Sequence, residues 1–366
     1  MSTLSTHDDY TTLAGQLGFA DSKRFRAVLE NLMTPDQARI AAALPGTAAD
    51  VADKTGFDEA LIKKELEELF FKGVLFPRGD YGKREFYRFT RSVGQFHDSS
   101  MAHQDLDIVK DVELFRLWHE FCLEEYYPIV GERQAQSPGP STRVVPSYNA
   151  LKDIPDSEIL PCEDFRELIK AQELIAVVPC PCRYRTAAVG EPCQHCDEID
   201  RWNCIQFGRA AEYVLARGSG KKLSTEEALD LAEKCEEDGL IHIWMNTTAM
   251  TGMHFSCQCC QDCCISYVPM QLRDESASKV WAKARFEAFI DQTKCDGCQD
   301  CVERCHFDAI EMVKPQALNE KKRSKKLKAI IEPEKCWGCG VCVIGCEDKA
   351  IGFKTVRPVE HIPVPA

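Results

Sequence analysis

The chain has 366 residues, of which 44% are hydrophobic and 28% are charged, and its formal net charge is −13 at pH 7. This length has room for two or three domains with a sizeable buried core. The acidic balance argues against a general nucleic-acid binder or a protein of anionic membranes. No run approaches about 18 apolar residues, so no membrane span is predicted.

Residues 1–95 are predicted to form an N-terminal domain that resembles a winged helix. Hydrophobic spacing and cap residues indicate three helices followed by a hairpin. The predicted helices lie at 36–44, 47–54 and 58–72, and the hairpin strands lie at 74–76 and 85–89.

A winged helix suggests DNA binding through its third helix, but the charges argue against this role. Glu65, Glu67 and Glu68 crowd the middle of that helix. Residues 1–100 hold 13 Lys and Arg against 15 Asp and Glu, so the domain lacks a basic footprint. The hairpin has only a modest positive edge, and we favour protein docking over nucleic-acid binding.

Three regions follow, and with the first they predict an α+β fold. They are a helical connector, a central cysteine-rich α/β domain and a C-terminal domain, at residues 96–160, 161–285 and 286–366. Helical spacing predicts one helix over 105–127 in the connector. In the central domain, Ser224 and Glu227 form a capping-box pattern that opens a helix, and Gly239 ends it.

The C-terminal domain contains the most specific pattern in the chain, a repeated C-x₂-C-x₂-C-x₃-C run. The second run follows the first after 41 residues (336 − 295 = 41), and its flanking residues repeat as well. Three cysteines on a tight loop can surround one iron–sulfur cluster, to which a fourth thiolate is added from elsewhere. The two runs are Cys295, Cys298, Cys301, Cys305 and Cys336, Cys339, Cys342, Cys346.

These eight cysteines make residues 286–360 resemble the bacterial-type ferredoxin domain, which binds two 4Fe–4S clusters. In that family the fourth cysteine of each run ligates the other cluster. The resemblance therefore implies one ligand set of Cys295, Cys298, Cys301 and Cys346. It implies a second set of Cys336, Cys339, Cys342 and Cys305.

The chain departs from the ferredoxin pattern at two positions. The proline that usually follows each fourth cysteine is replaced by His306 and by Glu347. Proline mainly sets a turn there, so we expect both clusters to survive. Tandem zinc sites are the alternative, but zinc sites rarely repeat three x₂-spaced cysteines followed by an x₃ cysteine. The basic stretch 321–328 between the runs is either a solvated loop or a surface that steers an acidic partner.

The central domain holds a second concentration of cysteines. Adjacent cysteines cannot both reach one metal from a strand, although in a turn each could face a different cluster. We predict one or two further iron–sulfur clusters here. The candidate ligands are Cys180, Cys182, Cys193, Cys204, Cys257, Cys259, Cys260, Cys263 and Cys264.

This region resembles a group of iron–sulfur oxidoreductases from anaerobes. The shared features are a CxCR motif, two spaced cysteines, a G-L-[IV]-H segment and a terminal cysteine cluster. They correspond here to 180–183, Cys193, Cys204, 239–242 and 257–264. The resemblance implies further clusters without naming a substrate.

Several other residues in the chain allow both a functional and a structural interpretation. His242 and His254 are weak candidates for a metal ligand or a proton donor, and a structural role is favoured for both. Arg183 either contacts a cluster sulfur or forms a surface ion pair. Cys122, Cys162 and Cys235 have no spacing partner and are predicted to be inert thiols.

Twenty-one cysteines in all also bear on the cellular compartment. The N-terminus lacks the basic and apolar regions of a signal peptide, and most cysteines have metal-ligand spacings rather than those of a small disulfide scaffold. These features predict a reducing cytoplasm in an organism that lives with little oxygen.

The sequence therefore predicts an electron-transfer protein that works with a partner oxidoreductase, as a single chain or a homo-oligomer. One alternative is an enzyme that reduces a substrate at an open central cluster. The other is a redox-sensing regulator, in which clusters respond to oxygen and the winged helix binds DNA.

Overall fold

The computed structural model describes residues 8–195, 202–246, 255–274, 276–314 and 326–362. The chain divides into two compact units, each assembled from separate segments. The first unit comprises residues 1–130, 178–192 and 212–221, and the second comprises 131–177, 193–211 and 222–366. The bounds of the four predicted domains stay predictions. Within the described residues, no helix is long and apolar enough to cross a membrane.

Helices and small sheets alternate along the chain, which confirms the α+β class. A π-helical turn, Cys122–Tyr126, joins the seventh helix to the eighth. The α-helices of the described residues are α1 (Asp9–Gln16), α2 (Lys23–Leu32), α3 (Pro35–Ala42), α4 (Ala48–Thr55), α5 (Glu59–Phe71), α6 (Val93–Met101), α7 (Val112–Phe121), α8 (Tyr127–Ala135), α9 (Tyr148–Leu151), α10 (Phe165–Lys170), α11 (Pro181–Ala188), α12 (Gly208–Ala216), α13 (Thr225–Glu237), α14 (Val268–Gln271), α15 (Asp300–Glu303) and α16 (Val341–Ile344).

Within the described residues, the strands form five small sheets. The strands are β1 (Gly46–Thr47), β2 (Leu75–Pro77), β3 (Phe86–Phe89), β4 (Thr142–Val145), β5 (Ile175–Pro179), β6 (Trp202–Phe207), β7 (Lys221–Leu223), β8 (Ile241–Met245), β9 (Phe255–Ser256), β10 (Gln258–Cys259), β11 (Trp281–Ala282), β12 (Phe286–Ile290), β13 (Ile310–Val313), β14 (Lys328–Ile331) and β15 (Ile351–Thr355). Their orders are β1-β3-β2, β10-β8-β4-β11, β7-β5-β6-β9, β12-β15 and β13-β14.

The three helices and the hairpin predicted near the N-terminus are confirmed as α3, α4, α5, β2 and β3. Thr34 and Thr47 each close a capping box at the start of their helix, and Asp58 caps α5. Strand β1 adds a third strand to the hairpin. The elements follow the predicted order, and the winged-helix assignment itself stays a prediction.

The core of the first unit is an aromatic cluster that joins α2 to α7. The Phe25 and Phe121 rings stack with their centroids 4.7 Å apart, and Trp118 lies 6.0 Å from Phe25. Helix α7 begins at Val112, later than the predicted start at 105. The Asp107 carboxylate explains the difference, because it accepts hydrogen bonds from the backbone of the next turn and so holds a non-helical loop.

The last four strands build a C-terminal domain with internal two-fold character. The strand before each cysteine run pairs with the strand after the other run: β12 is antiparallel to β15, and β13 is antiparallel to β14. Helices α15 and α16 occupy equivalent places within the two runs. Phe286 and Phe353 stack at 5.4 Å in the core between them. This exchange brings the end of each run close to the start of the other.

Candidate iron–sulfur sites

Four cysteines of the C-terminal domain line one small cavity of about 90 Å³. Cys295, Cys298 and Cys301 come from the first run, and Cys346 comes from the second. Apolar side chains of the four strands β12 to β15 form part of the wall, and acidic residues such as Asp296, Asp300 and Glu347 also line it. The structure thus brings together the three-plus-one set that the ferredoxin resemblance implies. Cys298 is the exposed member of this first set.

The second set lies around the start of α16. Cys339 and Cys342 each interact electrostatically with both Cys305 and Cys336. Burial, and then these neighbours, raise the pKa of Cys339 to about 12 and hold that of Cys342 well above its usual value. Thiols in such a place ionise near neutral pH only beside a cation, which iron supplies. The donor chemistry of both sets fits an iron–sulfur group.

Two glycines allow the loops to wrap closely around these thiols. Gly297 and Gly338 occupy equivalent positions in the two runs, and both have left-handed backbone, with φ of 83° and 69°. A Cβ at Gly297 would lie 2.2 Å from the Leu327 carbonyl oxygen, and one at Gly338 would lie 2.3 Å from that of Phe286. No side chain fits at that distance, so each loop packs against the strand beside it only as glycine.

Backbone amides reach the sulfur of the fourth cysteine in each run. Ala309 N–H donates to Cys305 Sγ at 3.4 Å, and Ala350 N–H donates to Cys346 Sγ at 3.3 Å. Hydrogen bonds to ligating sulfur stabilise the thiolate and help set the potential of a bound cluster.

The position of the first missing proline is filled by a buried histidine. His306 donates from Nε2 to the Gly239 carbonyl at 2.7 Å, and its own carbonyl accepts from Tyr267 Oη at 2.9 Å. Burial and the neighbouring His195 lower the pKa of His306 to about 4, so its ring is neutral at pH 7. His306 therefore fixes the end of the first run by contacts to the central segments.

The central region separates its adjacent cysteines into two groups. The first, named the Cys260 group, consists of Cys193, Cys260, Asp262 and Cys263, whose ligand atoms all lie within 4.8 Å of one another. Cys260 and Cys263 are buried, with 1% and 2% of their surface exposed. Asp262 escaped the sequence prediction, although it lies inside the cysteine run.

The second, named the Cys259 group, consists of Cys257, Cys259 and Cys264. The Cys259 and Cys264 sulfurs lie 3.6 Å apart. The pKa of the Cys259 thiol is raised well above its usual value, first by the side chain of Cys257, then by that of Cys264 and then by burial. The pairs 259–260 and 263–264 thus each contribute one thiol to each group. Cys259 ends β10 and Cys260 follows it, where neighbouring side chains point to opposite sides, whereas Cys263 and Cys264 lie in the turn region beyond.

Two more predicted ligands lie in the first unit. Cys180 precedes α11, and the buried Arg183 donates from Nη1 to its sulfur at 3.6 Å. The observed contact is therefore the sulfur contact rather than a surface ion pair. Cys182 has His97 and Asp98 as neighbours, with ligand atoms within 4.8 Å of one another. No sequence signal pointed to His97.

The remaining candidates have local partners or lie outside the described residues. Cys204 lies in β6, where the Gln206 amide donates to its sulfur at 3.1 Å. Both ring nitrogens of His242 have partners, Gln258 at Nδ1 and Glu236 at Nε2, which leaves neither for a metal. His254 lies outside the described residues. Among the cysteines expected to be inert, burial raises the pKa of Cys122 to about 11.

One comparison with known proteins found a match. A family model described as a 4Fe-4S dicluster domain matches residues 294–351, which include both cysteine runs. No curated protein and no solved structure matches the chain. Together with the two three-plus-one sets, this match makes the chain an iron–sulfur protein with a C-terminal ferredoxin-type domain.

Proposed function

We propose that the chain relays low-potential electrons between its C-terminal clusters, a central cluster and a partner oxidoreductase in anaerobic metabolism. The observation that carries this proposal is the grouping of eight cysteines into two exchanged sets within one small domain. A bound 4Fe–4S cluster supplies reversible one-electron transfer. The ligands would be the two sets implied by the ferredoxin resemblance, with Cys305 and Cys346 as the exchanged members.

The surroundings of the two sets favour electron transfer over open chemistry. Cys301, Cys336 and Cys342 belong to the apolar core of the domain, together with Phe286 and Phe353. This packing buries three of the eight ligand cysteines and, with the amide contacts to Cys305 and Cys346, shapes the potential. Only Cys298 is exposed, so a partner would approach at the first set.

An aromatic layer supports exchange between the second set and the Cys259 group. Phe307 and Trp337 stack at 4.8 Å, and Tyr267 and Trp281 stack at 5.0 Å. These rings pack in one hydrophobic cluster that also includes Cys259, Cys264 and Cys339. Cysteines of both thiol groups therefore contact the same packed cluster.

Charges in the N-terminal region support protein docking rather than DNA binding. The Glu67 carboxylate of α5 binds both Arg84 and the Tyr87 hydroxyl. The guanidinium groups of Arg78 and Arg88 lie over the Phe86 and Phe76 rings. Three of the five basic residues that gave the predicted hairpin its positive edge are thus engaged within the unit. This use of charge weakens the regulator alternative.

The described end of the basic stretch 321–328 lies beside the first set. Lys326 is 3.6 Å from Asp296, and Lys328 donates to the Gln292 and Cys295 carbonyls. Residues 321–325 lie outside the described residues. Both described lysines thus make contacts within the domain, and steering of an acidic partner stays a proposal for the rest of the stretch.

Iron and acid-labile sulfide content after purification without oxygen tests the proposal. About eight irons per chain are expected from the C-terminal sets, and a clear excess would assign further clusters to the central region. Dithionite should then produce paramagnetic signals. The Cys162→Ala variant is the matched control, because Cys162 belongs to neither set. A colourless, zinc-loaded protein that stays silent after dithionite would contradict the proposal.

The enzyme alternative has a separate test. It requires a substrate to perturb the spectrum of a central cluster. Neither of its proposed proton donors is supported, since His242 is fully hydrogen bonded and His254 lies outside the described residues.

A further inference from the structure

We infer that the Cys260 group binds a single tetrahedral Zn²⁺ ion through the thiolates of Cys193, Cys260 and Cys263 and the carboxylate of Asp262. This site would differ in kind from the iron–sulfur sites of the same chain. The inference does not depend on the proposed electron relay, since zinc has no redox chemistry in proteins.

Spacing is the first argument. Two thiolates bound at about 2.3 Å to one tetrahedral ion lie about 3.8 Å apart. The Cys193 and Cys260 sulfurs are 3.6 Å apart, and all four ligand atoms of the group lie within 4.8 Å of one another. In a cubane each thiolate ligates a different iron, which requires wider spacing.

The C-terminal thiols provide an internal comparison. Across the part of the chain that the structure describes, three or more ligand atoms come within 4.8 Å of one another only here and in the His97–Asp98–Cys182 group. The eight C-terminal cysteines, which match a 4Fe-4S dicluster domain, do not reach that spacing. The same structure therefore distinguishes a compact site from a cluster-sized one.

The orientation of Asp262 is the second argument. Its Oδ2 accepts a hydrogen bond from Gln194 N at 2.6 Å, whereas its buried Oδ1 accepts none from the described residues. His195 Nε2 lies 4.0 Å from Oδ1. Leaving a buried carboxylate oxygen without a partner is costly. A cation among the three neighbouring sulfurs would satisfy it, and the amide of Gln194 would orient the ligand from behind.

Charge and softness select the metal. Three thiolates and one carboxylate give four negative charges around a compact tetrahedral space, which suits zinc rather than calcium or magnesium. Binding would release thiol protons to solvent, because zinc is held by thiolates. The ion would then connect the residues that follow α11 to the cysteine turn after β10.

The site also lies against the second cluster set. The His195 ring meets the His306 ring with centroids 4.2 Å apart, and His306 directly follows Cys305. Zinc would thereby hold His195, two residues after Cys193, against the end of the first cysteine run. Its loss should change the paramagnetic signal of the second cluster without removing iron.

Metal analysis of variants in the full chain tests the inference. The protein, prepared without oxygen, should contain about one zinc per chain, and Cys260→Ser should lose it while keeping all iron. Asp262→Ala should weaken zinc binding at least about tenfold in a chelator competition, and Asp262→Cys should restore it. Cys162→Ala should match the wild type.

Two results would overturn the inference. One is loss of about three or four irons per chain from Cys260→Ser, because the group would then hold a cluster. The other is loss of zinc from Cys196→Ser with none from Asp262→Ala, because the thiol of Cys196, which lies outside the described residues, would then be the fourth ligand. In either case the C-terminal iron count, measured in the same samples, tests the electron-transfer proposal separately.

Discussion

The C-terminal and central cysteine regions assemble their ligands in different ways. In the C-terminal domain, each run supplies three neighbours from one loop and exchanges its fourth member with an equal run, so the site follows from a repeated local structure. In the central region, Cys193 meets Cys260 across 67 residues, and adjacent cysteines part to different groups. Local repeats therefore encode a site in the sequence, whereas ligands from distant segments depend on the packing of the whole unit.

The largest expected effect is the loss of iron from variants of the C-terminal domain. Cys342→Ser should remove about four irons per chain and unfold much of the C-terminal domain, because metal binding contributes directly to folding. Cys305→Ser should affect the same cluster, since the fourth ligand is exchanged, and should spare the one held by the first run. Iron analysis and paramagnetic resonance after dithionite would check both variants. If Cys305→Ser instead lost the cluster held by Cys295 and kept the second one, the exchange of fourth ligands would be contradicted.

A second prediction addresses the aromatic layer between the regions. Trp337 is buried, stacks on Phe307 and has Lys283 near its ring. Trp337→Ala should lower the free energy of unfolding by about 3–5 kcal/mol, measured by anaerobic denaturation. Trp337→Phe, which keeps a ring, should lose less. Equal losses in the two variants would show that the ring does not fill this layer.

A third prediction concerns the loops that surround the two cysteine sets of the C-terminal domain. Gly297→Ala and Gly338→Ala should each lower the free energy of unfolding by about 1–3 kcal/mol or more. The backbone is left-handed at both positions, and the new Cβ would clash with a carbonyl oxygen. Gly139→Ala is the matched control, since nothing lies within 4 Å of its Cβ. Thermal unfolding of the three variants under nitrogen would compare them. A Gly297→Ala protein as stable as the control would refute the close approach.

The smallest expected effect tests a single tie between the regions. The Tyr267 hydroxyl donates to the His306 carbonyl at 2.9 Å in a buried place. Tyr267→Phe should therefore lower the free energy of unfolding by about 1 kcal/mol and leave the iron and zinc contents unchanged. Denaturant titration would measure the loss. No loss, or a loss of metal, would show that this bond does not have the role given to it.

Much of the local structure could be predicted from the sequence. The capping box at Ser224 marked the start of its helix correctly, because a cap is a contact between near neighbours. The helix predicted from 105 began later, because the side chain of Asp107 competed for the same backbone amides. This competition is also local, but it depends on the side-chain conformation of Asp107, which hydrophobic periodicity does not predict.

By itself, the sequence determined the class of chemistry: two equal cysteine runs, spaced for loops around iron–sulfur clusters, lie within the region that matches a 4Fe-4S dicluster domain. Tertiary structure alone decided how the central thiols divide, that Asp262 joins three of them, and that His306 is buried in contact with Gly239 and Tyr267. The physical reason is range. Ligands on one short loop are fixed by their spacing, whereas ligands from distant segments are fixed only when the whole unit has packed.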